Sequence, residues 1–139
     1  MADLVAALVA LLQADTALAA ITQGRVFGGE LPEGEGEAMP RAALVVVPSG
    51  GTSLTAGSYA EHDSQRIDLF AYAGTVRAAD ALRREADRVL RQVRRSTIGG
   101  VLVHWVQSAG GSITGRDPDA AWPRTFQSYQ VFHALQAID

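Results

Sequence analysis

Apolar residues between positions 75 and 95 recur at steps of three and four, which predicts one long amphipathic helix. This spacing places them on a single helical face, and they are Val76, Ala79, Leu82, Ala86, Val89, Leu90 and Val93. Thr75 precedes the run and can cap the first helical turn through its hydroxyl. Gly99-Gly100 follows it and is a suitable stop. We expect this helix to pack its apolar face on a sheet.

The opposite face of this predicted helix carries a row of arginines, which we call the arginine stripe. At 3.6 residues per turn its members share one side of the helix, and they are Arg77, Arg84, Arg88, Arg91 and Arg95. Asp80 and Asp87 each precede a stripe arginine by four residues, so part of the charge is expected to pair along the helix. The stripe is either a solvated face or a contact surface for acidic protein or a nucleic-acid backbone.

A second helix is predicted from Leu4 to about Ala14, with Asp3 as its N-cap. Leucines and valines fill one side of this helix and alanines most of the other. A helix with so little polar surface should be covered on more than one side. The alanine side is therefore either a subunit contact or an exposed surface, since alanine is a good helix former that tolerates water.

The remaining pattern predicts strands separated by two long loops. Strands are expected at 42–47, 65–73, 101–107 and 125–135, with a short extended piece at 25–27 and loops at 49–64 and 108–123. The 49–64 segment is alternatively a hairpin extension, because Thr52, Leu54, Ser58 and Tyr59 are compatible with an extended chain. Pro48 is expected to end the first of these strands. This order of elements predicts a single α+β domain over 1–139. In it the 75–95 helix packs on a mostly antiparallel sheet, and an apolar N-terminal helix precedes the sheet.

Composition narrows the class of protein. The chain has 139 residues, 47% of them hydrophobic and 19% charged, which is typical of a globular domain. Its net charge of −3 argues against a dedicated nucleic-acid binder, so the arginine stripe is a local feature. The absence of cysteine excludes disulfides and cysteine-ligated metals. The apolar N-terminal stretch meets Gln13 and Asp15 too early to cross a bilayer, and we expect no membrane contact.

Candidate chemistry is sparse. The acidic segment, residues 28–39, predicts a flexible loop, but its glutamates lack the pattern of a calcium loop, so no metal is expected. His62, His104 and His133 are not spaced as metal ligands, and His104 and His133 are expected to be structural residues within strands. The sequence contains neither a nucleophile elbow nor a lysine-containing phosphate loop. We therefore expect no enzymatic activity and no cofactor.

The order of features resembles the small tail terminator, or tail completion, proteins of tailed phages and gene transfer agents. The resemblance covers nearly the whole chain and is one of layout. The matching parts are Leu12-Gln13-Ala14-Asp15 after the apolar helix, Gly24-Arg25-Val26-Phe27 with Pro32, the strands at 44–47 and 67–70, the helix at 74–90, Asp117-Pro118-Asp119 and the closing strand.

This resemblance implies a structural virion protein without catalysis or cofactor. The implied subunit forms a ring, generally a hexamer, that caps the tail tube, ends tail elongation and joins the tail to the head. Its implied partners are copies of itself, the tail tube protein and the head-side connector or stopper protein, with DNA passing through the ring without specific binding. The implied location is the tail or neck of the virion, after assembly in the host cytoplasm.

The candidate contact residues are the arginine stripe together with Glu33, Glu35 and Glu37 of the acidic segment. Opposite local charges of this kind predict pairing between adjacent subunits. Two alternatives stay open. One is a head-tail stopper or minor tail component, and the other is a nucleic-acid-binding module that uses the arginine stripe.

Overall fold

The computed structural model describes residues 3–53 and 62–134, and all elements named below lie within those ranges. Its helices are α1 (Leu4–Ala14), α2 (Thr16–Thr22), a short 3-10 helix (Glu33–Ala38) and α3 (Val76–Arg91). Its strands are β1 (Val26–Gly28), β2 (Ala43–Ser53), β3 (His62–Tyr72), β4 (Arg94–Ile98), β5 (Val101–Ser108), β6 (Ile113–Arg116) and β7 (Pro123–Ala134).

The strands of the described ranges form one seven-stranded sheet in the order β1-β2-β3-β7-β5-β4, with β6 also paired to β7. β1 runs parallel to β2, and the other described pairings are antiparallel. This confirms the predicted α+β class and mostly antiparallel sheet. β7 is the central strand, because one of its edges pairs with β3 over 124–134 while the other is shared by β6 and β5.

Strand alternation divides the sheet into two faces of different chemistry. The helix-covered face carries fully buried side chains that pack with the apolar face of α3, among them Leu44, Val46, Ile67, Leu69 and Tyr129. The residues between them point to the opposite side, which we call the open face. α3 buries the side chains that the periodicity predicted, namely Ala79, Leu82, Ala86, Val89 and Leu90.

Helix α1 has the bounds that the sequence predicts. Its N-cap is Asp3, whose carboxylate accepts from the backbone N–H of Ala6 at 3.0 Å. On the alanine side, Ala7 is buried beside the β4–β5 turn, where a Cβ on Gly99 would lie 3.5 Å from the Ala7 Cα. Ala6, Ala10 and Ala14 are exposed in the single chain.

The long helix ends earlier than predicted, at Arg91. Arg94 caps this end, since its guanidinium donates to the carbonyls of Arg91 at 2.7 Å and Val93 at 2.8 Å. Arg95 consequently lies in β4 and not on the helix. Gly99 and Gly100, with φ of 54° and 80°, form the two-residue turn of the β4–β5 hairpin instead of stopping α3. Val93 is buried and continues the apolar pattern beyond the helix, which explains the prediction.

Three further segments differ from the sequence prediction. β2 continues past Pro48, because a β-bulge between Pro48 and Gly50 shifts the register at the point where proline has no backbone N–H to donate. β6 lies inside the predicted 108–123 loop, and the acidic segment contains the 3-10 helix. His62 belongs to β3 instead of a loop. Of the predicted 49–64 loop, positions 54–61 lie outside the described residues.

Candidate functional site

Three members of the arginine stripe are already paired within the chain. Arg84 lies 2.7 Å from Asp80, and Arg91 lies 2.8 Å from Asp87, as the four-residue spacing predicted. Arg88 pairs with Glu85 at 3.0 Å and with Asp15 at 2.8 Å. The stripe is therefore largely neutralised by carboxylates of its own subunit.

Asp15 performs two roles in this arrangement. Its carboxylate accepts from the backbone N–H of Leu18 at 3.0 Å, which caps α2, and it also receives the Arg88 guanidinium. The Leu18 N–H, with a further contribution from Arg88, lowers the pKa of Asp15 below its ordinary value. The pair joins α2 to α3 across 73 positions of sequence, a contact that no local pattern could indicate.

The other two stripe residues, Arg77 and Arg95, form no ion pair with any residue that the structure describes, and both are exposed. Arg77 lies in the first turn of α3, whereas Arg95 lies in the edge strand β4 with φ of 38°. The five predicted positions thus divide into three paired arginines on the helix and two exposed arginines, one on α3 and one on β4.

The acidic segment divides in the same way. Glu35 pairs with Arg41, while Glu33 and Glu37 are exposed and form no ion pair within the described ranges. A Cβ on Gly36 would lie 3.8 Å from the Trp122 ring, and that ring packs edge-on against Tyr72, 6.0 Å away on the open face. Within the described ranges the structure does not pair the candidate glutamates with α3.

A buried hydrogen bond fixes α3 to the sheet. The Tyr129 hydroxyl donates to the Asp87 carboxylate at 2.5 Å, and Asp87 also holds Arg91. Burial, followed by the neighbouring negative charge of Asp87, raises the pKa of Tyr129 well above its ordinary value. The phenol therefore stays neutral and acts as a donor at physiological pH.

A second surface, which sequence reasoning missed, lies on the open face beside β6. This β6 groove has a volume of about 290 Å³ and is lined by Phe70, Ile113, Gly115, Arg116, Arg124 and Phe126. The Phe70 and Phe126 ring centroids are 5.2 Å apart, and the Arg124 guanidinium lies 5.1 Å from the Phe70 centroid. Only the register of β3 on β7, which places Phe70 opposite Phe126, brings these side chains together.

Asp117 holds the loop that borders the β6 groove. Its carboxylate accepts from the backbone N–H groups of Ala120 at 2.8 Å and Asp119 at 2.9 Å, and it lies 3.3 Å from Arg124. The Ala120 N–H, then the Asp119 N–H and the positive charge of Arg124, lower the pKa of Asp117. The predicted turn at Asp117-Pro118-Asp119 therefore has a defined role as an anchor of the groove.

Metal-ligand geometry is not found in the described ranges, where no three His, Asp or Glu side chains cluster as potential ligands. His133 is buried in β7 with Nδ1 2.9 Å from the Ala134 carbonyl oxygen, and the His104 ring stacks on Phe132 with centroids 4.7 Å apart. Both side chains thus pack within the sheet.

No single helix in the described ranges is long and apolar enough to span a bilayer. α1 and α2 reach that length and hydropathy only when they are taken together, and the chain bends by 91° between them.

Comparison with known proteins identifies the fold. No protein-family model and no curated protein matches the chain. Among solved structures, a chain of the virion of a native gene transfer agent particle shares this architecture with a TM-score of 0.69 and 15% sequence identity. The likeness covers 94% of this chain and 94% of that chain. At this identity the match establishes a common fold.

Proposed function

We propose that this protein is a structural virion subunit that forms a ring on the tail tube, ends tail elongation and joins the tail to the head connector. The observation that carries the proposal is the fold shared, over 94% of both chains, with a component of a gene transfer agent virion. The proposed location is the tail or neck of the particle. The proposed partners are further copies of this chain, the tail tube protein and the head-side connector.

The distribution of charge supports contact between copies. Glu33 and Glu37 are exposed on a 3-10 helix, whereas Arg77 and Arg95 are exposed on α3 and β4, and none of the four has an ion-pair partner in the described chain. Complementary charges on separate elements favour a head-to-tail contact, which generates a ring when the rotation closes. The exposed side of α1 and Ile21, which is 41% exposed, provide apolar surface for the same purpose.

The pairing within the arginine stripe sharpens this proposal. Arg84 and Arg88 already have carboxylate partners in their own subunit, so Arg77 and Arg95 are the stronger candidates for intersubunit contact. The same pairing leaves fewer guanidinium groups for phosphate, which weakens the nucleic-acid alternative.

Charge reversal tests the ring. Arg77→Glu with Arg95→Glu is expected to shift the assembled protein toward monomer, because each substitution replaces an attraction with a repulsion. Light scattering after size exclusion reports the mass, and negative-stain images with purified tail tubes report capping. Reversal of Glu33 and Glu37 to arginine in the same chain should restore assembly. Exposed Arg116→Glu serves as a control that should not change it.

Two results would contradict the proposal. One is an unaltered protein that stays monomeric at high concentration and does not attach to tube ends. The other is attachment to head connectors in the absence of tubes, which would favour the head-tail stopper alternative.

A further inference from the structure

We propose that the β6 groove is a docking site for an extended acidic segment of another protein, which adds as a strand to the outer edge of β6. This inference goes beyond the ring proposal and does not require it, because it concerns a different surface of a single chain. The occupant combines apolar side chains, which enter the groove, with carboxylates, which pair with Arg116.

The first observation is an open sheet edge. β6 pairs with β7 through Ile113–Phe126, Thr114–Thr125, Gly115–Arg124 and Arg116–Pro123, and no strand in the described ranges pairs with its other side. β4 does not extend this far, since it pairs with β5 only between Val101 and Trp105. Such an edge presents unpaired backbone donors and acceptors, which are a template for an added strand.

The second observation is an apolar floor that faces solvent. Ile113 is 68% exposed, an unusual position for a large aliphatic side chain, and it lies opposite Phe126 on the open face. Phe70 and Phe126 form the adjoining part of the groove. Gly115 leaves this floor uncovered, because a Cβ at this position would meet no atom within 4 Å. An aliphatic side chain of a docked strand fits above Gly115, between Ile113 and the two rings.

The third observation is charge at the same edge. Side chains alternate along a strand. A residue of the docked strand that lies opposite Ile113 or Gly115 therefore enters the groove, and the next residue of the docked strand lies beside Thr114 or Arg116. The exposed Arg116 uses one nitrogen, Nη1, to donate to the Ala121 carbonyl at 3.0 Å, and it has no ion-pair partner among the described residues. Its other N–H groups can receive a carboxylate. Arg124 also lines the groove, but its guanidinium already lies 3.3 Å from the Asp117 carboxylate.

An extended segment of another protein fits these features better than the acidic 3-10 helix of a second copy does. Two exposed carboxylates that form no ion pair within the described ranges, Glu33 and Glu37, lie on a 3-10 helix that follows Pro32. A helical segment cannot supply the alternating backbone donors and acceptors that the edge of β6 requires. An extended segment in which acidic and aliphatic residues alternate satisfies the edge, the floor and Arg116 together.

A peptide titration tests the inference on the full-length protein. The probe is a blocked, fluorescently labelled seven-residue peptide in which glutamate alternates with leucine and valine, and anisotropy reports its binding. Tryptophan emission provides a second readout, because one of the two tryptophans, Trp122, lies against Tyr72 on the open face. We expect saturable binding, and no binding of a peptide in which lysine replaces glutamate.

Two variants with matched controls locate the site. Arg116→Glu should weaken binding by about tenfold or more, because it replaces a cross-strand attraction with a repulsion. Arg84→Glu, at an exposed arginine on α3 that already pairs with Asp80, should leave affinity unchanged. Gly115→Leu should abolish binding by filling the groove, whereas Gly111→Leu, where a Cβ also meets no atom within 4 Å, should not.

The outcomes separate this inference from the ring proposal. Absence of saturable binding to the unaltered protein, or binding that neither Arg116→Glu nor Gly115→Leu changes, would overturn it. A loss of self-association in those two variants, with peptide binding unchanged, would also overturn the inference, because the groove would then be a contact between copies. If Gly115→Leu fails to fold by circular dichroism, the exposed Arg116 position decides alone.

Discussion

The two faces of β3 and β7 are built from the same strands but have opposite properties. On the helix-covered face Ile67, Leu69 and Tyr129 are fully buried, and Tyr129 forms a hydrogen bond to α3. On the open face polar side chains bond across the strands, as where the Ser128 hydroxyl donates to Asp68 at 2.7 Å and receives Arg66 at 3.2 Å. One face therefore packs against the helices, and the other is held mainly by polar contacts between strands.

This contrast separates the part of the domain that holds the fold together from the part that does not. The burial that holds the domain together is concentrated between α1, α3 and the helix-covered face. Changes on the open face should consequently alter binding more than folding. The following predictions test that division, beginning with the largest effect.

Two neighbouring valines of β2 provide the most direct test. Val46→Ala on the helix-covered face should lower the free energy of unfolding by about 2–3 kcal/mol, because Val46 is fully buried and its loss leaves a cavity. Val47→Ala makes the same truncation on the open face, where the side chain is half-buried, and should lower it by less than about 1 kcal/mol. Urea denaturation measures both values, and equal losses would contradict the division.

Tyr129→Phe removes the hydrogen bond between β7 and α3. We expect a loss of about 1.5–3 kcal/mol at neutral pH, typical of a bond to a charged group. The pKa of Tyr129 is raised in the folded protein, so its contribution is complete below the ordinary tyrosine value of 10.0 and is lost as the pH rises above it. Stability should therefore fall at alkaline pH in the unaltered protein and fall less steeply in the variant.

The matched control for this pH dependence is Tyr72→Phe on the open face. Burial also raises the pKa of Tyr72, but a hydrogen bond with Arg124 acts in the opposite direction. This variant should keep most of the alkaline loss of stability. If Tyr72→Phe reduced the alkaline loss of stability as much as Tyr129→Phe does, the Tyr129–Asp87 hydrogen bond would not be the principal source of that loss.

Arg84→Ala should have the smallest effect. Its ion pair with Asp80 is on the surface, since the Arg84 side chain is 72% exposed, and pairs of this kind contribute about 0–1 kcal/mol. Thermal unfolding at low and high salt measures the change, with unpaired Arg77→Ala as the reference. A loss well above that range would show that the stripe is a structural element of the fold instead of a neutralised surface.

Local patterns in the sequence predicted the elements that bury side chains. Asp3 and Thr75 were identified as caps, and each accepts the expected backbone N–H. The alternation of β7 from Thr125 onward was correct because every second residue enters the core. β4 and β6 were missed because edge strands are held by backbone pairing, and their exposed sequences, Arg-Arg-Ser-Thr-Ile and Ile-Thr-Gly-Arg, contain no alternation of burial to recognise.

Contacts in the candidate sites were predictable only where the two residues are close in sequence. The pairing of Arg84 and Arg91 with acids four residues earlier follows from helical geometry alone. The pairing of Arg88 with Asp15 and the position of Phe70 beside Phe126 depend on tertiary packing and strand register. Neither can be read from spacing, which is why the pairing of Arg88 with Asp15 and the β6 groove were not predicted.

The packing of α1 on distant parts of the chain has a consequence for biosynthesis. Leu8 and Leu12 are fully buried, and their helix lies against α3 and β4, with Ala7 beside Gly99. A ribosome that adds about 5–20 residues per second needs several seconds to complete those later elements. During that interval the leucines of the nascent helix lack the cover that α3 and β4 later provide.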